Sequence, residues 1–294
     1  MGRQQLKISI VTPCLNQQTF LQRTIESVVG QCYPNLEYII VDGGSTDGTC
    51  EIIEKHKQHL SCWISEPDDG QYHALNKGFA KSSGQIMAWL NADDIYMPYT
   101  LRVVSQIFSS FPNVDWITSL LPAIVNHEDA IISIKPRRGF TRSLFMQGLL
   151  MTTGKTGEHG FIQQESTFWR RSLWAKAGGR LDTRYGLAAD FALWGKFFRF
   201  SNLYGVNAVL SGFRLHGDQR SVQHQQPYRA EALQALAEGG GSTPRGLRAF
   251  IYRCGLPGHW PLRVMPRMGF VSIAPLIWYD SFEGKWRLDQ RVVR

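Results

Sequence analysis

Acidic residues stand in adjacent pairs at two places where short apolar runs end: Asp68-Asp69 in Glu66-Pro67-Asp68-Asp69-Gly70-Gln71, and Asp93-Asp94 after Trp89-Leu90-Asn91-Ala92. Neighbouring carboxylates repel. An apolar run that delivers them to a loop tip makes chemical sense if oxygen ligands there hold a hard divalent cation, magnesium or manganese. Such an ion would bridge the two phosphates of a leaving nucleotide and offset the charge that builds as a bond to it breaks. The competing reading is structural, with Asp93 or Asp94 favouring the start of a helix near Pro98. Asp42 closes another apolar run ahead of Gly43-Gly44-Ser45-Thr46-Asp47-Gly48. There the glycines permit a tight turn, Ser45 or Thr46 can cap the next helix, and Asp42 can accept a hydrogen bond from a base or a ribose. The first apolar run passes into Thr12-Pro13-Cys14-Leu15-Asn16-Gln17 without a glycine, and no G-x-x-x-x-G-K-[ST] stretch occurs. Both common glycine-rich phosphate loops are therefore missing. A nucleotidyltransferase would also need a glycine- and cation-rich loop at that place.

The elements that carry these residues alternate. Strand-like runs at 7–12, 37–41, 62–65 and 85–90 are separated by helical patterns at 20–29, 46–59 and 72–80. That rhythm predicts an α/β domain with a mostly parallel sheet, helices on both faces, and a ligand site beyond the carboxyl ends of the strands. After a helix at 99–110 come strand-like pieces at 115–119 and 130–135. A glycine-dotted stretch, 139–160, is expected to be a mobile loop near the site. Helices follow at 171–177, 189–200 and 227–238, with a strand at 203–215. Residues 1–238 are thus expected to form one catalytic domain, a nucleotide-binding half at 1–112 and an acceptor half at 113–238. Residues 239–246 read as a flexible linker and 247–294 as a C-terminal extension.

Four segments in order, Ile8-Ser9-Ile10-Val11-Thr12-Pro13, Val41-Asp42-Gly43-Gly44-Ser45-Thr46-Asp47-Gly48-Thr49, Leu75-Asn76-Lys77-Gly78 and Leu90-Asn91-Ala92-Asp93-Asp94, resemble the family 2 glycosyltransferases of the GT-A fold. The likeness spans roughly residues 7 to 222. It implies an inverting transfer of a sugar from a nucleoside diphosphate sugar, with UDP or dTDP favoured over GDP, to a saccharide or lipid-linked hydroxyl acceptor. It further implies that Thr12, Pro13, Asn16, Asp42, Asp68, Asn76, Lys77 and Asp93 surround the nucleotide, and that Asp94 is the direct ligand of Mn2+ or Mg2+. Downstream, Gln164-Glu165-Ser166-Thr167-Phe168-Trp169-Arg170-Arg171, Gly178-Gly179-Arg180-Leu181-Asp182 and Ala189-Asp190-Phe191-Ala192-Leu193-Trp194 are similar to the acceptor-side signature, with alanines at 189 and 192 where relatives carry acids. Asp190 is left as the implied catalytic base, with Glu165 and Asp182 next in line. The segment Phe213-Arg214-Leu215-His216-Gly217-Asp218-Gln219-Arg220-Ser221 resembles the family's element that closes over the pyrophosphate, making His216 a metal or phosphate ligand and Arg214 or Arg220 a charge clamp. The Q-x-x-R-W motif of processive synthases is missing, so one sugar per binding event is expected. Because two acids of the signature are replaced, a non-catalytic nucleotide-sugar-binding or assembly module is the alternative from another class.

The 294 residues carry a formal charge of +8, concentrated beyond residue 238, where nine basic side chains face three acidic ones. Interleaved with Trp260, Trp278, Phe282 and Trp286, this tail suits an anionic membrane surface, or packing on the domain or across a homodimer. Nucleic acid is not expected as a partner. Five cysteines without a C-x-x-C pair argue against a disulfide framework or a zinc site. With no signal pattern at the start and an apolar run at 271–279 too short to span a bilayer, a cytoplasmic protein is expected, soluble or peripheral on the inner face of the membrane.

Overall fold

The computed structural model describes residues 5–151, 160–217, 219, 223–244 and 272–293. Its centre is a parallel flank made by β1 (Ile8–Cys14), β2 (Leu36–Asp42), β3 (Cys62–Ser65) and β4 (Ile86–Trp89). Ile8 pairs with Leu36 on one side and with Ile86 on the other, and the ladder between β1 and β2 runs to Cys14 beside Asp42. Every residue of β1 is buried, as expected of a parallel strand covered on both faces. The connections are α1 (Leu21–Val29), α2 (Thr49–His56) and α3 (Gln71–Lys81). α3 lies so close to the sheet that a Cβ at Gly78 would come within 2.4 Å of a Val11 methyl. Glycine is required there by contact.

Beyond β4 the chain makes β5 (Ile95–Tyr96), α4 (Thr100–Ser110), β6 (Trp116–Ser119), β7 (Ala123–Val125), β8 (Ile131–Ile134) and α5 (Arg142–Met146). Then come β9 (Phe168–Arg170), α6 (Arg171–Lys176), α7 (Ala189–Phe197), β10 (Leu203–Val206), β11 (Ser211–Arg214), α8 (Gln225–Glu238), β12 (Ser272–Asp280) and β13 (Lys285–Val293). The nine-stranded sheet runs β13-β12-β10-β6-β9-β4-β1-β2-β3. Within it β9 is antiparallel to both β4 and β6, and so joins the two halves. A second sheet, β5-β11-β7-β8, stands apart from the first.

Beneath the strand ends Trp89, Trp116, Trp169 and Trp194 are fully buried. Trp194 of α7 stacks on Trp89 at 5.8 Å and on Trp116 at 5.6 Å, which ties α7 to both halves of the sheet. Large aromatic side chains of this kind dominate core energetics by the area they remove from water.

Three expectations are corrected. The strand expected at 203–215 is two strands in different sheets, because the chain leaves the large sheet after Val206 and turns back at Leu210 to pair β11 with β5 and β7. The stretch 139–160 is not one open loop: Phe140, Leu144, Phe145 and Leu150 are buried in the core, and Thr141 caps α5 by accepting the Leu144 N–H at 3.2 Å. Residues 152–159 lie outside the described residues. The end of the chain is not a separate extension either, since β12 pairs in parallel with β10 and the hairpin completes one side of the large sheet. The linker is packed at Gly241 and Ser242, whose N–H groups bond to Leu236 and Met146 carbonyls. Residues 245–271 lie outside the described residues. No helix among the described residues is long and apolar enough to cross a membrane.

Candidate active site

At the carboxyl end of β4 the Leu90 N–H bonds to the Val11 carbonyl at 3.0 Å, and a tight turn closes from Asp94 N–H to Asn91 carbonyl at 3.1 Å. Thr24 of α1 pins this turn by donating to the carbonyls of Ala92 and Asp94, each at 2.8 Å. Asp93 and Asp94 thus stand between β4 and β5, not at the start of α4, which begins at Thr100 without a side-chain cap. The structural reading as a helix cap does not hold.

The two acids face different surroundings. Asp94 is buried, accepting the Arg214 backbone N–H at 3.0 Å and an Asn91 amide N–H at 3.3 Å. Burial, then the charges of Asp93 and Glu165, hold its carboxyl well above the usual range. Asp93 is partly open, and its Oδ2 lies 3.0 Å from Nε2 of His216. His216 packs on the Phe20 ring with centroids 4.8 Å apart. The open acid paired with an imidazole is therefore Asp93, whereas the sequence expectation had given direct metal contact to Asp94. Arg214 is fully buried: its guanidinium donates to the Asp93 carbonyl at 2.7 Å and to the Asn126 carbonyl at 3.2 Å, meets Asp129, and lies over the Phe20 ring. A charge clamp on a ligand does not fit that placement; Arg214 knits the small sheet to the β4 turn. Arg220 lies outside the described residues.

Among the described residues no three His, Cys, Asp or Glu side chains gather closely enough to enclose a metal ion by themselves. The Asp93 carboxylate with the His216 imidazole is still a donor set that suits Mn2+ or Mg2+ when substrate phosphates and waters complete the shell, which is how such ions are commonly held in phosphate-handling enzymes.

Asp190, the base expected from the sequence, occupies the first turn of α7, half-buried, with its Oδ1 accepting the Phe191 N–H at 2.7 Å. Its carboxyl is pushed up to about 6, by burial first; nearby N–H groups pull it down and the charge of Glu231 adds to the rise. A 3-10 turn, Gln164–Ser166, packs against β4 with Glu165 buried inside it. Burial pushes Glu165 up to about 7, hydrogen bonds including one from Gln163 oppose this, and the charges of Asp93 and Asp190 both reach it. Gln164 anchors the turn to the Trp89 carbonyl at 2.7 Å. Asp182, the other reserve base, is occupied by Arg184 at 2.8 Å and held below the usual range by it.

The nucleotide-side candidates divide. Asp42 is fully buried and already accepts from Gly44 N–H at 3.1 Å, Ser45 N–H at 3.0 Å, the Ser45 hydroxyl and the Ser65 hydroxyl at 2.7 Å. Burial raises its pKa, and these donors outweigh it to leave the carboxyl below the usual range. In this arrangement Asp42 organises the loop. Thr12 is buried against the Tyr38 hydroxyl at 3.0 Å, and Pro13 is buried within β1. Asn16 is exposed, with φ 52°, and receives the Thr46 N–H on its side chain at 2.9 Å. Asp68 lies across from Gly43, where a Cβ would come within 3.0 Å of its carboxylate, and it caps Gly70 N–H at 2.8 Å. Asn76 spends both ends of its amide on the Leu181 backbone, at 3.0 and 2.8 Å, and Lys77 pairs with Glu66 at 2.6 Å. Asn16 and Asp68 thus remain at the rim, while Thr12, Asp42 and Asn76 are used by the fold. A shallow cleft opens at the start of α3, lined by Asp69, Gly70 and His73 and by Thr183 and Tyr185.

A mixed α/β chain with a large, mostly parallel sheet that delivers acids from its strand ends has the GT-A architecture. The family model "Glycosyl transferase family 2" matches residues 9–175, and the chain belongs to that family. Among relatives, it is 27% identical over 213 residues to an uncharacterized glycosyltransferase of Rickettsia prowazekii, covering 72% of this chain and 65% of that one. It is also 29% identical over 187 residues to one of Mycobacterium tuberculosis, covering 62% and 65%. The matches thus span about 65% of the length of these curated relatives. In three dimensions it is similar to S. aureus TarS 1-349 in complex with UDP-GlcNAc, with a TM-score of 0.62 at 15% identity over 89% of this chain and 78% of that one. The mannosyltransferase PcManGT from Pyrobaculum calidifontis, in complex with GDP-Man and Mn2+, gives 0.57 at 15% identity over 91% and 79%.

Proposed function

We propose that this protein transfers one sugar from a nucleoside diphosphate sugar to an acceptor hydroxyl with inversion at the anomeric carbon. The observation that carries the reading is the convergence of three acids: Asp93 paired with His216 after β4, Asp190 at the start of α7, and a buried Glu165 that the charges of both reach. Asp190 takes the proton of the acceptor hydroxyl as its oxygen attacks the anomeric carbon from the face opposite the leaving diphosphate. A carboxyl near 6 is ionised at neutral pH and is a stronger base than an exposed aspartate. Asp93 and His216 would hold a divalent cation together with the diphosphate, and that cation would supply charge neutralisation for the leaving group. Both uridine and guanosine donors occur among proteins of this fold, UDP-GlcNAc with TarS and GDP-Man with PcManGT. A uridine or thymidine diphosphate sugar is the donor proposed here.

The test incubates the protein with a panel of UDP-, dTDP- and GDP-sugars and manganese, following slow donor hydrolysis, and repeats transfer with Asp190→Asn. The variant is expected to lose about two to four orders of magnitude in turnover with donor affinity retained, the usual worth of a positioned base. Near-normal single-turnover transfer by the variant would move the base to Glu165. No hydrolysis of any donor by the unaltered protein would favour a non-catalytic binding module.

A further inference from the structure

Helix α8 lies beyond the last of the family-like segments and carries none of their residues, yet it touches the segment that leads into the proposed base. Glu231, near its middle, accepts three consecutive backbone N–H groups: Gly186 at 3.1 Å on one carboxylate oxygen, Leu187 at 2.8 Å and Ala188 at 2.9 Å on the other. Ala188 is the residue immediately before α7, and Ala189 and Asp190 are its first two residues. Ala188 is the N-cap of α7, and its N–H is one of the donors that a helix start leaves without an intrahelical partner. From the opposite side Tyr72 of α3 donates its hydroxyl to the Leu187 carbonyl at 2.7 Å. A second contact from α8 lies at Asp182, five residues upstream of Leu187, where Arg184 bridges Asp182 and Glu238. The lead-in to Asp190 is therefore held from two elements, and α8 supplies a carboxylate to it.

We propose that Glu231 is a positioning residue for Asp190, fixing the 186–188 backbone so that the start of α7 presents the base to the acceptor, and setting the charge that the base faces. This rests on the reading of Asp190 as the base. Three charge-assisted hydrogen bonds from one side chain to successive N–H groups leave that backbone little freedom to turn. A misplacement of the order of an ångström at a reacting group costs about a hundredfold in rate. The charged groups that face Asp190 are Glu231 from α8 and Glu165 from the 3-10 turn; Lys196, on α7 itself, acts on Asp182. Both facing groups are acidic, so removing Glu231 takes away a repulsion that keeps the proton on Asp190.

The conservative variant Glu231→Gln keeps the length and one acceptor oxygen but turns an NH2 group toward N–H donors. Turnover, donor KM and the pH dependence of turnover are measured for it and for Glu231→Ala, with Asp190→Asn alongside. Glu231→Gln is expected to lose about ten- to a hundredfold in turnover with donor KM unchanged. The acid limb of its profile is expected to move to lower pH. A side chain that only braced the fold would lower the melting temperature and leave that limb in place, so an unmoved limb overturns the proposal even if turnover falls. In the Asp190→Asn background, Glu231→Gln is expected to cause no further loss of transfer; an additional, independent loss would also overturn it. The two readings fail separately. Normal transfer by Asp190→Asn refutes the base, whereas an inactive Asp190→Asn beside a fully active Glu231→Gln refutes the positioning role alone.

Discussion

Asp93 and Asp94 share a residue type and a peptide bond, and the backbone sends them to opposite fates. One looks toward His216 and the open side; the other is enclosed beneath β11 and bonded to its backbone. The two substitutions are accordingly expected to differ in kind. Asp93→Ala should abolish the manganese-dependent part of UDP binding in calorimetry while the melting temperature stays near normal. Asp94→Ala should instead leave the buried Arg214 N–H without its acceptor and cost about 1–3 kcal/mol of stability. Manganese-enhanced binding that survives Asp93→Ala and vanishes in a folded Asp94→Ala would restore the assignment made from the sequence. A second expectation concerns pH. A base must be ionised to act, so with Asp190 near 6 the turnover at saturating donor should rise with pH through about 6 and level above it. A limb near 4 would identify a carboxyl in water instead. The acids were legible in the sequence as pairs and motif members, but which of two neighbours is buried was not. That is decided by β11, contributed by residues 211–214, and no local pattern at 93–94 records it.

Elements that were legible are those whose period is long enough to read: β1 to β4 and α1 to α3 alternate apolar runs with helical faces and lie close to their expected positions. The small sheet was not, because β5 has two residues and β7 three, too few for a period to show. The hairpin β12-β13 was hidden for another reason: its strands carry basic and aromatic residues on exposed faces, a composition that also suits a membrane surface. Within the parallel flank one polar clasp has no periodic signature either. Glu37 of β2 is buried and accepts from Ser9 at 2.5 Å, Ser83 N–H at 2.6 Å, the Ser83 hydroxyl at 2.7 Å and Lys7 at 2.6 Å. Burial raises its pKa, but these donors overcome that and hold the carboxyl down to about 2. Its folded value lies below its unfolded one, so its contribution is complete above pH 4.5 and is lost as pH falls from there through 2. Glu37→Gln should lower stability by about 1.5–3 kcal/mol at pH 7, the range for hydrogen bonds to a charged group. The deficit should shrink toward pH 2; an equal deficit at both ends in denaturant titrations would remove the charge from the explanation.

Taken as a whole, the molecule is two sheet segments joined by a single reversed strand. β9 lies between β4 and β6, and its neighbours are clamped in turn: Arg170 N–H bonds to the Asp115 carbonyl at 2.7 Å and Arg171 N–H to the Gln85 carbonyl at 2.9 Å. The class of fold was legible from the first hundred residues, yet this joint was not, since a three-residue strand approached through a 3-10 turn looks like loop. The order of assembly follows from it. When β4 has formed, its outer edge must wait for the chain to run from Trp89 to Phe168 before a partner exists, and β6 cannot take the place because it too pairs with β9. Loop closure over so long a span is entropically slow compared with pairing among β1, β2 and β4. Refolding should therefore pass through a species in which the amides of β1 and β2 are protected from exchange while those of β6 and β10 are not, as pulse-labelled hydrogen exchange would register; simultaneous protection of all four would contradict it. On a ribosome the same sequence of events would leave the β4 edge unpaired until Phe168 has been made, making that edge the stretch on which a nascent chain of this protein most needs shielding from its neighbours.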